Sequence, residues 1–129
     1  MLNDVVKAIH KEGAFAAVHC CGNTDWGIVL KTDIDILNFD AYNYLETIFI
    51  YREVFWDFFK RKGLLAFGFI PNSAQGQLPE PNVLLDKIGR QDNFCLVSPS
   101  CGLSGVSEER ADEVLSLAAG FSRFLDGVK

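Results

Sequence analysis

Two short stretches hold the residues whose types and spacing could do chemistry. They are His19-Cys20-Cys21-Gly22-Asn23 and, about eighty residues later, Ser98-Pro99-Ser100-Cys101-Gly102-Leu103. Side chains alternate along a strand, so His19 and Cys21 point one way and Cys20 the other. One imidazole and one thiol on a shared face, joined by a second thiol at the end of a later strand, form a three-ligand set for a metal. Three protein ligands are what a catalytic zinc site requires, because the fourth position stays open to substrate. A thiol titrates near ~8.5, so only a minority is nucleophilic at neutral pH, and coordination is a direct way to deprotonate it. Buried cysteine is also a common core residue. Packing is the expectation for Cys20, which faces away from the pair, and for Cys95, which lies mid-strand. A bond between adjacent Cys20 and Cys21 would be strained. His10, between Ile9 and Lys11, reads as solvated helix surface.

The elements that must position these groups follow from periodicity and breakers. Residues 2–12 carry Val5, Val6, Ala8 and Ile9 at helical spacing, with Gly13 as the stop. Ala14 to His19 is a short apolar run that suits a buried strand. Asn23 or Thr24 is expected to cap a short helix through about Leu30. Ile36 to Phe39 is the next strand. A long aromatic helix is expected from Tyr44 to Lys62, closed by Gly63. Leu64 to Ile70 is a continuous apolar strand broken by Pro71, and Pro71 to Pro81 is a loop. Val83 to Ile88 forms one or two helical turns, and Phe94 to Val97 is a fourth strand. Ser107 caps a last helix with Val114, Leu115, Ala118, Phe121 and Leu125 on one stripe. Apolar strands separated by helices imply an α/β fold of parallel β/α units.

Functional groups in such folds collect at the carboxyl ends of the strands. All four ends carry something polar: His19 and Cys21, then Asn38 and Asp40, then Asn72 and Ser73, then Ser98 and Cys101. Four converging ends fit a barrel mouth better than an open doubly wound sheet. A barrel needs about eight strands, so this chain would supply half. The 129 residues make one domain, 49% hydrophobic and 22% charged, with a net charge of −5 and no basic run. That argues against nucleic acid or an anionic membrane as partner. No apolar run reaches membrane-spanning length, no signal-peptide pattern opens the chain, and no Gly-rich phosphate loop is present. Four cysteines in that context read as reduced thiols or metal ligands in the cytoplasm.

His19-x-Cys21-Gly22-Asn23, Asp40 after the second strand, and Pro99-Ser100-Cys101-Gly102-Leu103 after the fourth resemble a known superfamily. It is the C-terminal half of the TIM (β/α)8 barrel shared by cobalamin-independent methionine synthase, the corrinoid-dependent methyltransferases and uroporphyrinogen decarboxylase. The resemblance covers essentially the whole chain as strands five to eight. It implies His19, Cys21 and Cys101 as zinc ligands, with Asp40 where the methionine synthases have a Glu ligand. Gly22-Asn23 is closer to the corrinoid branch. The chain departs from the family in the shorter Asp, in Ser100 where Asp is usual, and in lacking a basic residue after Cys101-Gly102-Leu103. Strands one to four are absent too, which implies a longer parent protein or a homodimer that closes the barrel.

The activity implied is methylation of a small thiol of the homocysteine or coenzyme M type, from folate or from a corrinoid, with a corrinoid protein as a further partner. Zinc would bind and deprotonate the thiol, and the thiolate would attack the methyl group. Asp40 is a fourth ligand, an orienting partner of His19, or a helix N-cap. Asn23, Asn38, Asn72 and Ser73 are the candidates for binding substrate, although turn chemistry explains Asn72 and Ser73 equally well. The other readings are a non-catalytic half-barrel remnant or interaction module, and a metal-free decarboxylase-like protein that leaves the three ligand-type residues unexplained. Ile50, Tyr51 and Trp56 exceed what one buried stripe requires and suggest a subunit interface.

Overall fold

A computed structural model describes residues 1–73, 77–80, 82–83 and 96–128. Helix α1 (Leu2–Lys11) turns Val6 into the core and leaves Val5 56% exposed. The chain leaves α1 through Gly13 at φ +72°, a left-handed conformation that costs glycine nothing because it has no Cβ. Strand β1 (Ala17–Cys20) starts later than the apolar run does. The Asp35 carboxylate organises this junction: it accepts the Ala16 N–H at 2.7 Å and meets His10 Nε2 at 2.8 Å. The Ala16 bond first, then His10, holds the Asp35 carboxyl below its usual range.

Helix α2 (Trp26–Val29) is a single turn. Its cap is Asp25, not Asn23 or Thr24, and the Asp25 carboxylate accepts the Ile28 N–H at 3.2 Å. Strand β2 (Ile36–Phe39) has the expected bounds. The single long aromatic helix does not form. The chain instead makes α3 (Ala41–Ile48), a 3₁₀ turn over Phe49–Tyr51, and α4 (Arg52–Lys60). The break falls on Thr47-Ile48-Phe49-Ile50-Tyr51, where β-branched and aromatic residues crowd χ1 against the preceding turn. There the Thr47 hydroxyl donates back to the Tyr44 carbonyl at 2.7 Å and accepts the indole N–H of buried Trp26 at 2.8 Å. Ile50 and Trp56 are exposed, while Tyr51 is half-buried against Gly27.

Strand β3 (Leu64–Ile70) matches the continuous apolar run. Strand β4 (Leu96–Pro99) runs two residues further than expected, and its expected start at Phe94, with Cys95, lies outside the described residues. The helical turns expected over Val83 to Ile88 lie there too, except for Val83. Helix α5 (Glu108–Val128) is capped by Ser107, whose hydroxyl accepts the Arg110 N–H at 3.2 Å. Val114 and Phe121 are buried as expected, while Leu115 faces out.

The fold is α/β, with a parallel four-stranded sheet in the order β1-β2-β3-β4. Right-handed crossovers between strands in sequential order place the connecting helices α2, α3 and α4 on the same face. Burial agrees: Leu37, Phe39, Leu65, Phe67 and Phe69 share one parity, and all belong to the core cluster with Trp26, Phe58 and Phe121. The opposite parity holds His19 beside Asn38 beside Ala66 beside Leu96 in register. Gly68 lies on this second face. A Cβ there would sit 2.6 Å from the Phe39 carbonyl oxygen and 2.9 Å from Ser100 Cα, so β2 and the end of β4 lean together over it.

Candidate metal centre

Parallel pairing brings the carboxyl ends of the strands to one edge, and the site is built there. His19 is the third residue of β1 and stands on the face opposite the core cluster, which is helix-free among the described residues. Cys21 follows the last residue of β1, and Cys101 follows β4 by two residues. The ligand atoms of His19, Cys21 and Cys101 all lie within 4.8 Å of one another, and no other such group of His, Cys, Asp or Glu occurs among the described residues. Around a tetrahedral zinc with bonds of ~2.0–2.3 Å, these atoms would lie roughly 3.5–3.8 Å apart. The three groups therefore need to close by at most about 1 Å. His19 and Cys21 are exposed and Cys101 half-buried, so side-chain rotation can provide that. A Cβ built on Gly22 or Gly102 would meet nothing within 4 Å, which leaves the rim beside both cysteines open. The arrangement can hold a metal with one position free.

Asn38 fixes the imidazole. Its amide nitrogen donates to the Ala66 carbonyl and to Ser98 Oγ, each at 2.8 Å. That orients Oδ1 toward His19 Nδ1, 2.5 Å away. An amide oxygen can only accept, so this bond places a ring proton on Nδ1 and leaves Nε2 either to donate to Cys101 or, without its proton, to bind a metal. Asn38, for which the sequence suggested contact with substrate, is thus placed to position a candidate ligand. Partners of this kind set ring orientation and ligand basicity. Asn38→Leu is expected to weaken zinc affinity by about 10- to 100-fold, as read by chelator competition. An unchanged affinity would show that the Asn38–His19 bond has no such role.

The two thiols are unequal. Cys101 titrates below the ordinary thiol range because it accepts hydrogen bonds from His19, from the Cys21 thiol and from the Gly102 N–H. Cys21 titrates above that range because it donates to Cys101 and then faces its charge. In metal-free protein, raising the pH is expected to make Cys101 reactive to iodoacetamide before Cys21, as read by peptide mass mapping. Cys101→Ser is expected to bring the Cys21 profile down toward the ordinary range. Cys21 reacting first would contradict the assignment.

Asp40 is not a member of the group. It is 6% exposed and caps α3, accepting the Asn43 N–H at 3.0 Å on Oδ1 and the Asn43 amide at 2.7 Å on Oδ2. The capping alternative accounts for both oxygens. Asp40→Ala is expected to cost about 1–2 kcal/mol in denaturant unfolding while leaving the zinc content unchanged. Loss of zinc in that variant would restore Asp40 as a ligand. Asn72 serves its own loop: its amide donates to the Gly102 carbonyl at 2.9 Å and its Oδ1 accepts from Ser100 Oγ at 3.0 Å. It thereby ties the end of β3 to the segment carrying Cys101. Ser73 is exposed and its carbonyl accepts from Arg110 at 3.1 Å, while Asn23 stands exposed in the β1–α2 connection. Cys20 is half-buried against the core and donates to the Gly22 carbonyl at 3.4 Å, as its facing predicts. The locking roles of Asn72 and Ser98 escaped the sequence reading, although Ser98 shares the parity of Asn38 once the strands are paired.

No protein-family model, curated protein or solved structure matches the chain. Among the described residues, no helix is long and apolar enough to cross a membrane.

Proposed function

We propose that the chain is a zinc-dependent thiol-activating domain of the methyltransferase type, acting on a small thiol such as homocysteine or coenzyme M. One observation carries this reading: two cysteines and one histidine whose Nδ1 is held by Asn38 converge at an exposed sheet edge with nothing crowding the rim. Structural zinc sites are closed by four protein ligands, whereas an open three-ligand set leaves room for a substrate atom. Zinc held by His19, Cys21 and Cys101 would supply a Lewis-acid position at which a thiol loses its proton near neutral pH. The residues do the remainder. Cys21 and Cys101 bring two negative charges, which offset the ion's charge and keep an incoming sulfur electron-rich. Asn38 holds the His19 ring, and Asn72 holds the Cys101 loop.

Methyl transfer then balances simply. The substrate sulfur forms a bond to the methyl carbon, and the carbon–nitrogen bond of a folate or the carbon–cobalt bond of a corrinoid breaks. The bonding pair leaves with the donor and the thiol proton passes to solvent. A carrier protein presenting the corrinoid would be the partner. In this proposal the sheet is one half of an eight-stranded β/α barrel, with the site at its mouth. Sequential strand order and a single helix-covered face support it.

X-ray absorption of the zinc-loaded protein tests the open position. Two sulfurs and one nitrogen from the protein are expected alone, and a third sulfur at ~2.3 Å once homocysteine or coenzyme M is added. An unchanged sulfur count with saturating thiol would sink the proposal.

A further inference from the structure

The face of the sheet that carries no helix among the described residues is unlike a monomer surface. Its lower layer is Ala17, Ile36 and Leu64 in register, with Leu96 one layer above, and Leu64 and Leu96 are 38% and 47% exposed. His19, Asn38, Ala66, Gly68 and Ser98 share this parity, and Ile70, past the irregular step in the β3–β4 register, is fully buried. No Asp, Glu, Lys or Arg occupies this face among the described residues of the strands. Solvated sheet faces carry polar and charged residues, and Ala66 is buried without belonging to the core cluster. Among the described residues, both outer strands, β1 and β4, also leave an edge without a neighbour in the sheet. Exposed edges of this kind are normally paired, covered or charged.

We infer that a second copy of this chain covers that face, with β4 of each copy pairing with β1 of the other to close an eight-stranded parallel barrel. The inference rests on the half-barrel reading given above and supplies its missing half. Strand arithmetic favours a copy over another partner: four plus four gives the eight strands whose interior side chains fill a barrel. Symmetry allows it, because a two-fold axis along the barrel keeps all eight strands parallel and makes the two junctions identical. Closure would set the two His19–Cys21–Cys101 groups around one mouth, each copy forming the wall opposite the other's site.

Light scattering after gel filtration of the full chain tests this. The expected mass is twice the 14.4 kDa of the chain, with slow hydrogen exchange at the β1 and β4 amides alike. Leu64→Arg and Leu96→Arg alter exposed positions, so folding should survive by circular dichroism while the mass falls to that of the monomer. Ile50→Ser on the helix side should leave the dimer intact. A wild-type monomer at all concentrations would overturn the second copy. In that monomer, fast exchange at both edges would leave the half-barrel standing, and slow exchange would remove that reading too. A dimer broken by Ile50→Ser but not by Leu96→Arg would place the interface on the helices and overturn the inference.

Discussion

Cys101→Ser is expected to lower zinc affinity by at least two orders of magnitude while leaving the fold intact. Apparent binding energies of structural zinc sites are about 10–16 kcal/mol spread over four ligands, or roughly 3 kcal/mol each, which corresponds to about 100-fold or more. A serine hydroxyl does not ionise near neutral pH and is a harder donor than a thiolate, so it does not replace what is lost. The side chain is half-buried and lies outside the core cluster. Apoprotein stability should therefore change by no more than about 0.5 kcal/mol, the range for surface substitutions. The readouts are chelator competition for the first effect and urea unfolding of metal-free protein for the second. Equal zinc affinity in the variant would remove Cys101 from the site. A large loss of apoprotein stability would mean that its role is packing.

The second large effect is expected at Gly68, where Ala should destabilise the domain by about 2–4 kcal/mol. The added Cβ would meet the Phe39 carbonyl oxygen at 2.6 Å, Ser100 Cα at 2.9 Å and the Pro99 carbonyl oxygen at 3.0 Å. All three are backbone atoms, so no rotamer change relieves the clash, and β2 or the end of β4 must shift. At roughly 3–5 °C per kcal/mol for a domain of this size, Tm should fall by about 6–20 °C. The displaced segment carries Cys101, so zinc affinity should fall in the same variant. Gly105→Ala is the control, since its Cβ would meet nothing within 4 Å. A Gly68→Ala protein as stable as wild type would show that the strands do not converge there.

Much of this was legible in the sequence because burial imposes strong patterns. Leu64 to Ile70 and Ile36 to Phe39 read as strands on apolar runs alone, and the structure gives those bounds. The facing of His19, Cys20 and Cys21 followed from strand alternation, and their surroundings agree. Other features depend on register, which a single sequence does not state. Asn38 and Asp40 share strand parity, yet Asn38 lies beside His19 because β2 pairs with β1. Asp40 falls one residue past the strand end, where it caps α3. The aromatic segment misled for a different reason. Its apolar content fits a long helix, but the bonds of Thr47 with Tyr44 and Trp26 fix a turn that local propensity alone does not reveal.

The central claim is that His19, Cys21 and Cys101 form one metal centre, and zinc content tests it most directly. Protein reconstituted with zinc, freed of excess by gel filtration and analysed for metal, should carry one ion per chain. Cys20→Ser, which alters the neighbouring thiol on the other face, should carry the same amount. His19→Ala, Cys21→Ser and Cys101→Ser should each retain far less. Zinc absent from the wild type, or lost in Cys20→Ser and kept in Cys21→Ser, would contradict the account.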